Sequence, residues 1–305
     1  MSYSFSVVSC DEWVNEIYRR NPNFHKSCEV YRKFIHGLSI LRIFWADEIH
    51  REYFITARTD REHVGFARLV KFKDRYGLGS FRFDLQDIML YCYQNMCKSV
   101  LKELINFSNK LVDSNSTLTI SVSNHRIGDV LIEIGYKPYR RSVVIEWDTN
   151  SVIPKSGNDD VEVFVNPDKF RKYARMVMSK SWGYYIAPNL KFQDVIIAFL
   201  NSEPVGSAYL NKLTGNIDFG VHVVKSLWRR RIGARLLHEC LKLCKSYGFK
   251  FMTVVRVINL YKVGEADRRA LSFYVNCGGK VRCEVIGYKK GIAKRRVTNI
   301  KEFII

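Results

Sequence analysis

The sequence predicts an α/β (α+β) fold built from two halves that share one coarse order of strands and helices. Three observations support this. Short runs rich in β-branched and aromatic residues alternate with amphipathic stretches at helical spacing. Each half contains a hairpin signal that is followed later by helix, strand and helix. The segment 148–160 is rich in turn-forming residues and separates the halves. We therefore predict one domain at 1–150, a linker at 151–158 and a second domain at 159–305.

The second half has the clearer signals. Pro167 suits the first turn of a helix, Gly248 and Gly278 are natural helix stops, and Asp267 is expected to cap a helix. The expected elements are strand 161–165, a helix from 166 to about 181, strands 195–200, 205–210 and 217–223, a helix from 232 to about 247, strand 251–257, a helix from 267 to about 277, and two strands around the turn 289–292.

The first half follows a similar order. A hairpin turn at 58–62 joins two strands, and a long amphipathic helix with Met96, Val100, Leu104 and Leu111 on one face comes after it. The expected elements are strands 54–57 and 64–70, a helix at 87–112, strand 117–122, a helix from 126 to 134 and strand 141–147. Residues 1–45 give no clear assignment.

Composition narrows the class of protein. The chain has 305 residues, of which 47% are hydrophobic and 26% charged, as in globular proteins with real cores. No apolar run is long enough for a membrane span, and no signal peptide is evident, so we expect a cytoplasmic protein. The eight cysteines form no CxxC pair, and several lie in helical patterns. We expect reduced core thiols and no metal site.

The charge is concentrated in the second half. The whole chain carries +19, of which residues 151–305 contribute +16 and residues 1–150 only +3. The second half is therefore expected to attract anions, either a polyanionic coenzyme or an acidic macromolecule such as RNA or DNA. A basic, soluble surface with no cognate polyanion is the remaining interpretation.

One segment has the pattern of a phosphate-binding site. The strand 217–223 leads into a basic turn with Arg229, Arg230 and Arg231, then Gly233, then an amphipathic helix. The free N–H groups and the dipole of a helix start favour a bound anion. The segment therefore suits a large phosphorylated ligand such as a nucleotide or coenzyme A.

Around this segment the second half resembles the GCN5-related N-acetyltransferase (GNAT) family, over residues 161–305. The family's pyrophosphate loop reads Gln/Arg-x-x-Gly-x-Gly/Ala, and Gly233 matches its last glycine. Val223 then matches the valine at the strand end. Trp228 replaces the usual Gln or Arg, and Arg231 replaces the middle glycine. We expect Arg231 to have a right-handed helical φ and still present its N–H.

A later motif extends the resemblance. The segment 267–279 is similar to Asn-x-x-Ala-x-x-x-Tyr-x-x-x-Gly-Phe, with Ala270, Tyr274 and Gly278 in place, Asp267 replacing Asn and Gly279 replacing Phe. The resemblance implies a mixed, mostly antiparallel sheet flanked by helices and acetyl-CoA as cosubstrate. It also implies that Tyr274 protonates the departing thiolate, for which a phenol is suited. Alternatively, Tyr274 is one more aromatic residue packed on the sheet.

The resemblance further implies a base on the strand before the loop. Alternation along 217–223 places Asp218 and His222 on one face. His222 has the better intrinsic pKa and Asp218 would need burial, so both stay candidates, and Glu203 is weaker. Val223 N–H is expected to stabilise the oxyanion. The residues expected to bind the coenzyme are Val221, Val223, Arg229, Arg230, Arg231, Ile232, Gly233 and Ala234.

The first half resembles an eroded copy of the same fold. Residues 64–68 (Val-Gly-Phe-Ala-Arg) are similar to 205–209 (Val-Gly-Ser-Ala-Tyr), and Leu131 stands where the second half has Tyr274. No basic glycine loop precedes the helix at 87, so we expect two tandem copies of which the first binds no coenzyme. An unrelated α/β domain is the alternative.

Three functions follow from these observations. The first is an acetyl-CoA-dependent N-acetyltransferase, an enzyme that transfers acetyl directly to a primary amine in a ternary complex, with no covalent enzyme intermediate. The second is a non-catalytic GNAT-like protein whose basic half binds nucleic acid or another polyanion. The third is peptidyl or aminoacyl transfer on a tandem fold of this type with charged tRNA as donor, which the basic surface permits and the pyrophosphate-like loop disfavours. The partner is an amine acceptor of unknown class, small molecule or protein, and the segment 257–266 is either its selectivity loop or a neutral insertion.

Overall fold

A computed structural model describes the protein over residues 3–9, 12, 49–60, 62–72, 91–92, 97–111, 118–122, 125–154, 160–212, 215–261 and 264–290. Two compact units emerge. The first comprises Met1–Ser142, Val257–Val263 and Glu284–Ile305, and the second comprises Val143–Arg256 and Gly264–Cys283. Both units are therefore made of separate chain segments, and the linker at 151–158 stays a prediction.

The second unit alternates strands with helices in the order expected from its sequence. Its elements are the end of β6 (Lys137–Asp148), then β7 (Val161–Val165), α3 (Phe170–Trp182), β8 (Gln193–Leu200), β9 (Glu203–Asn211), β10 (Asn216–Val223), α4 (Ile232–Ser246), the first part of β11 (Phe251–Asn259), α5 (Glu265–Asn276) and the start of β12 (Lys280–Lys289). Within this unit the strand order is β12-β6-β11-β10-β9-β8-β7.

Hydrogen-bonded register shows a mixed sheet that is mostly antiparallel. Strands β7, β8, β9 and β10 pair antiparallel in sequence order, whereas β10 pairs parallel with β11. Short turns join β8 to β9 and β9 to β10, whereas α3 lies between β7 and β8. The parallel pair is joined through α4, as a parallel connection requires. The predicted fold class is confirmed in this architecture.

Helices cover both faces of this sheet. On one face α3 packs over β8 and β9, with Ala174 and Met178 against Val195, Ile197 and Tyr209. The opposite face receives α4, where an added Cβ on Gly206 of β9 would lie 2.8 Å from Leu236 and 3.1 Å from Ile232. Because cross-strand partners share a face, this register decides which β10 side chains lie under each helix.

Two helix starts in the second unit differ from the prediction. Helix α3 begins at Phe170, not at Pro167, because Asn166 and Lys169 adopt left-handed backbone with φ of 49° and 61° and so interrupt a right-handed helix. Helix α5 begins at Glu265 with Gly264 as its N-cap. Asp267 is the third residue of that helix, and its Oδ2 accepts a hydrogen bond from Gly264 N–H at 3.2 Å.

The first unit has a four-stranded sheet of its own, with the order β1-β2-β3-β4. Its elements are β1 (Ser4–Val8), β2 (Ile49–Arg58), β3 (His63–Phe72), β4 (Tyr91–Cys92), α1 (Cys97–Leu111), β5 (Thr119–Val122), α2 (His125–Glu133), the first part of β6 and the later part of β12. The predicted hairpin is present and longer than expected, since β2 and β3 pair from Ile49↔Phe72 to Arg58↔His63.

The predicted helix at 87–112 is wrong at Tyr91 and Cys92, which pair with Phe66 and Gly65 of β3 as a short antiparallel strand. Helix α1 begins at Cys97, so Cys92 does not lie in a helix. Val100 and Leu104 are buried, as their spacing predicts. Met96 and the second strand expected after residue 292 lie outside the described residues.

Candidate functional site

Strands β10 and β11 part soon after they meet. Their parallel pairing covers only Asn216↔Thr253 and Ile217↔Val254. On its other side β10 stays paired with β9, but the register shifts between Asp218↔Tyr209 and His222↔Ser207, so three β10 residues oppose one on β9. The extra residues include Phe219 and Gly220, with left-handed φ of 63° and 81°. This bulge turns the backbone and leaves the second half of β10 without a β11 partner.

The amides beyond the bulge point into this opening. Val224 N–H donates to Val205 O at 2.9 Å, so the amide of Val224 is directed at β9. Amide direction alternates along a strand, and Val223 N–H therefore points away from β9. Val221 N–H points the same way and donates to Tyr274 Oη at 3.0 Å. Val221 and Val223, both predicted coenzyme-binding residues, thus present main-chain donors on the side that β11 has left.

Tyr274 of α5 faces the bulge directly. An added Cβ on Gly220 would lie 2.6 Å from Tyr274 Oη, so only glycine leaves room for the hydroxyl. The residue is 4% exposed. Burial raises the pKa of Tyr274, while the Val221 hydrogen bond and the Arg256 charge partly oppose this. The phenol is therefore protonated at neutral pH. Because its oxygen accepts from Val221, its own proton is left to be donated elsewhere.

Trp147 of β6 forms the wall behind this tyrosine. The two rings meet edge to face, with centroids 6.0 Å apart. The indole Nε1–H donates to Cys277 O at 2.9 Å, which ties the strand to the residue that follows α5. Close approach at Gly279 completes the packing, since an added Cβ would lie 2.6 Å from Trp147. These contacts fix the position of Tyr274.

Helix α4 starts next to the opening. Its first helical hydrogen bond runs from Arg235 N–H to Arg231 O at 3.0 Å, so the amides of Ile232, Gly233 and Ala234 precede the helical ladder. All three residues are buried. An added Cβ on Gly233 would lie 2.8 Å from the Phe273 ring of α5, so this glycine permits the two helices to approach. The arrangement offers main-chain donors to an anion.

Arg229, Arg230 and Arg231 are all exposed on the turn before this helix. The expected right-handed φ of Arg231 is wrong, because Arg231 is the N-cap of α4 with φ 59° and ψ 5°. Arg229 is also left-handed, with φ 69°. The turn thus adopts backbone that glycine prefers, although arginine occupies both positions. Three cationic side chains and a helix start fit a diphosphate group.

Trp228 lies on this turn and contacts both β10 and α5. Its indole Nε1–H donates to Val223 O at 3.0 Å. The guanidinium of Arg269, from α5, lies 4.3 Å from the centre of the indole. Trp228 is 37% exposed and therefore remains at the surface of the turn. The loop motif identified Trp228 as an unusual residue, but nothing in the sequence predicted its contact with Arg269.

Asp218 is held by side-chain amides at the start of the bulge. Its Oδ2 accepts from Gln193 at 2.7 Å and from Asn211 at 3.2 Å, and its Oδ1 accepts from Asn216 at 2.8 Å. The register pairs Asp218 with Tyr209, which places it on the α3 face of the sheet. These hydrogen bonds occupy the oxygen atoms that a base would offer to a proton.

His222 lies on the same face, packed against the end of α3. Its ring meets that of Trp182 edge to face at 4.1 Å. Nε2 is 3.1 Å from Phe219 O, which requires the proton on Nε2 and leaves Nδ1 as an acceptor, 3.5 Å from Ser181 Oγ. Burial first, and the Arg256 charge as well, lower the pKa of His222 to about 4. The residue is neutral at pH 7, and burial removes its intrinsic advantage as a base.

Arg256 is a charged residue of this region that sequence reasoning missed. It lies on β11 and forms an ion pair with Asp267 of α5, in which both side chains are mostly buried. Its charge lowers the pKa of both His222 and Tyr274. The arginine is eleven residues from its partner, on a different element, so no local pattern signals the pair. Glu203, the weaker base candidate, is exposed at the start of β9.

Other classes of site find little support in the described residues. Over the ranges with assigned structure, no cluster of three or more His, Cys, Asp or Glu side chains could hold a metal ion. Cys240, Cys244 and Cys277 are buried free thiols. No described helix is both long and apolar enough to cross a membrane.

The parting strands, the bulge amides and the helix start all lie in the second unit, between Asn216 and Asn276. Residues 165–278 match the family model for the acetyltransferase (GNAT) family. This stretch of the chain is therefore a GNAT domain, and the resemblance based on the loop and on the Tyr274 motif is confirmed. The match supports acyl transfer as the general class of reaction. A search of curated proteins gave no match.

Solved structures share the fold over nearly the whole chain. A tandem GNAT protein from the clavulanic acid biosynthesis pathway is 11% identical, with a TM-score of 0.57, over 96% of this chain and 100% of that one. A Drosophila protein is 14% identical, with a TM-score of 0.56, over 94% of this chain and 98% of that one. At these identities the likeness concerns the fold alone.

Proposed function

We propose that the protein is an acetyl-CoA-dependent N-acetyltransferase that acts through residues 159–305. The observation that carries this proposal is the opening where β10 leaves β11, with the Val221 and Val223 amides and the Tyr274 hydroxyl on it and the α4 start beside it. The residues fit acetyl-CoA. The amides of Ile232, Gly233 and Ala234 and the side chains of Arg229, Arg230 and Arg231 would hold its diphosphate.

The chemistry is direct transfer. A neutral primary amine attacks the thioester carbonyl, a C–N bond forms and the C–S bond breaks. The Val223 and Val221 amides stabilise the oxyanion, and Tyr274 gives its proton to the leaving sulfur. The amine loses its proton to His222, Asp218 or a water between them and the amine. The hydrogen bonds of Asp218 favour a structural part for it, and the lowered pKa of His222 makes that residue a weak base, so a water is the acceptor that these two observations favour.

We propose further that the first 150 residues are a second, eroded copy of the fold that binds no coenzyme. The order β2-β3-β4-α1-β5-α2-β6 parallels β8-β9-β10-α4-β11-α5-β12. Leu131, at the position of Tyr274, is fully buried in an apolar core and offers no proton. The acceptor is a primary amine of a small molecule or protein, and cytoplasmic location remains part of the proposal.

Calorimetry with acetyl-CoA tests the proposal, followed by an amine screen that detects free thiol. Binding in the micromolar range and thiol release with one class of amine are expected. Arg230→Ala should weaken binding. The exposed arginine turn and the charge of +16 on residues 151–305 also suit a polyanion. If acetyl-CoA does not bind and RNA does, with steep salt dependence, the non-catalytic alternative replaces this proposal.

A further inference from the structure

Helix α5 makes three contacts that follow one another along the helix. Tyr274 meets the Val221 amide in the opening, and Phe273 packs over Gly233 at the α4 start. One turn earlier, Arg269 lies over Trp228 of the basic turn. Residues four apart share a helix face, so Arg269 and Phe273 are neighbours on it. The face of α5 that carries Arg269 and Phe273 therefore borders the basic turn and the α4 start, and Tyr274 follows beside it.

The Arg269 guanidinium lies beside the basic turn, and its contacts there leave it able to bind a further group. The indole of Trp228 supports one face of the guanidinium, a favourable arrangement for a cation over an aromatic ring. Its carboxylate partner Glu265 is 3.7 Å away and 88% exposed, so this ion pair contributes little. The Arg269 side chain itself is 48% exposed. A stacked guanidinium keeps its edge N–H groups available to an oxyanion.

Trp228 cannot itself donate a hydrogen bond to a bound oxyanion. An indole has one donor, and Trp228 Nε1–H is already bound to Val223 O. Trp228 therefore offers its ring face, and no free donor, to a ligand at this turn. Arg269 is the side chain that lies on this ring face.

We propose that Arg269, held on the Trp228 indole, is a phosphate-binding residue for the nucleotide end of coenzyme A. This inference rests on the proposed function. A planar guanidinium can bind two phosphate oxygens at once. The Trp228 indole holds the guanidinium in one orientation before the ligand binds. Two sources of phosphate are open to it, the diphosphate and the 3′-phosphate of the ribose, and the ligands below distinguish them.

The test measures dissociation constants of acetyl-CoA, acetyl-dephospho-CoA and S-acetylpantetheine by calorimetry. Arg269→Gln is expected to weaken acetyl-CoA binding about tenfold and to leave S-acetylpantetheine, which has no nucleotide, unchanged. The same loss with acetyl-dephospho-CoA assigns Arg269 to the diphosphate, and no loss assigns it to the 3′-phosphate. Arg268→Gln, the matched control, removes the same charge from the adjacent position of α5 and should bind within twofold of wild type.

Two further variants separate the stacked pair from general charge. Trp228→Phe keeps an aromatic face and should bind acetyl-CoA nearly as wild type does. Trp228→Leu removes the face and should reproduce the loss of Arg269→Gln, and the double variant should lose no more than either single one. Thermal melting establishes that each variant is folded.

Unchanged acetyl-CoA affinity in Arg269→Gln overturns the inference, as does an equal loss for S-acetylpantetheine. An equal loss in Arg268→Gln also overturns it, since net charge would then explain the effect. If the wild-type protein binds none of the three thioesters, the proposed function fails together with this inference. If the wild-type protein binds acetyl-CoA and Arg269→Gln binds it equally well, the inference about Arg269 fails and the proposed function stands.

Discussion

Tyr274 Oη accepts a hydrogen bond from Val221 N–H at 3.0 Å, and this contact joins α5 to the bulge of β10. In the proposed thioester aminolysis the two groups have complementary parts, one as a donor to the oxyanion and the other as an acid. Their contact places the acid and the oxyanion donor within one hydrogen-bond length of each other. A substrate carbonyl that enters must share or replace this bond.

Tyr274→Phe is expected to lower kcat by about 10²- to 10⁴-fold, the usual contribution of a positioned acid. The ring and its packing on Trp147 remain, so the dissociation constant of acetyl-CoA should change little. Steady-state kinetics and calorimetry measure the two quantities. Unchanged turnover would remove Tyr274 from the chemistry and leave it as a packing residue.

Gly220→Ala tests the close approach at the bulge. The added Cβ would lie 2.6 Å from Tyr274 Oη, and the residue has φ 81°. We expect the free energy of unfolding to fall by about 1–3 kcal/mol from the left-handed backbone alone, and turnover to fall because the hydroxyl is displaced. Gly248→Ala is the matched control, with φ 75° and no heavy atom within 4 Å of its Cβ. It should lose stability but keep turnover, and equal turnover losses in both variants would contradict the contact.

Arg231→Gly addresses the left-handed N-cap of α4. Relief of φ 59° at a non-glycine residue is expected to offset the chain entropy of glycine and raise the free energy of unfolding by up to about 1 kcal/mol. The same change should weaken acetyl-CoA binding, because a cation is lost. Arg230→Gly, at a position without positive φ, should lower stability instead. Urea denaturation of the two variants gives the comparison, and an equal effect of both would argue against strain at Arg231.

The buried His222 predicts a specific dependence of stability on pH. Its pKa is lowered to about 4 in the folded protein, against about 6.5 in an unfolded chain. Between these values the unfolded state binds more protons, so stability falls as pH decreases from about 6.5 and levels off below about 4. The shift amounts to roughly 3 kcal/mol at most, taking about 1.4 kcal/mol per pKa unit.

Denaturation curves at several pH values, for wild type and for His222→Asn, measure this dependence. The difference in unfolding free energy between the two proteins should shrink as pH falls from 6.5 to 4. A constant difference over that range would mean that His222 titrates normally. The kcat/KM profile of the wild type should likewise show no decline near pH 6.5 that belongs to this residue.

The sequence was most informative where local signals decide structure. The hairpins, the α4 start at Ile232 and the Tyr274 helix follow from turn residues and helical spacing, and the GNAT resemblance followed from two short motifs. The bulge was not predicted, although Gly220 inside a strand is a known sign of one. The prediction assumed that side chains alternate between the two faces of the sheet throughout 217–223. Phe219 and Gly220, two successive residues with left-handed φ, break this alternation.

Tertiary partners explain the remaining differences. Tyr91 and Cys92 have the spacing of a helix, but the edge of β3 offers them hydrogen bonds that no local pattern records. Arg256–Asp267 and Arg269–Trp228 join residues from different elements, and neither pair has a sequence signature. Burial of His222 is equally invisible from the chain, so the choice between the base candidates needed the packing of α3.

The wall behind Tyr274 has a practical consequence for work with truncated proteins. Trp147 precedes the turn-rich segment at 148–160, yet its indole reaches Cys277 O and the Tyr274 ring. A fragment that begins at residue 159 would include the basic turn and the Tyr274 motif and lack the indole against which Tyr274 packs. Expression designs that keep Tyr274 in place should begin upstream of β6, because a fragment that lacks Trp147 also lacks these contacts.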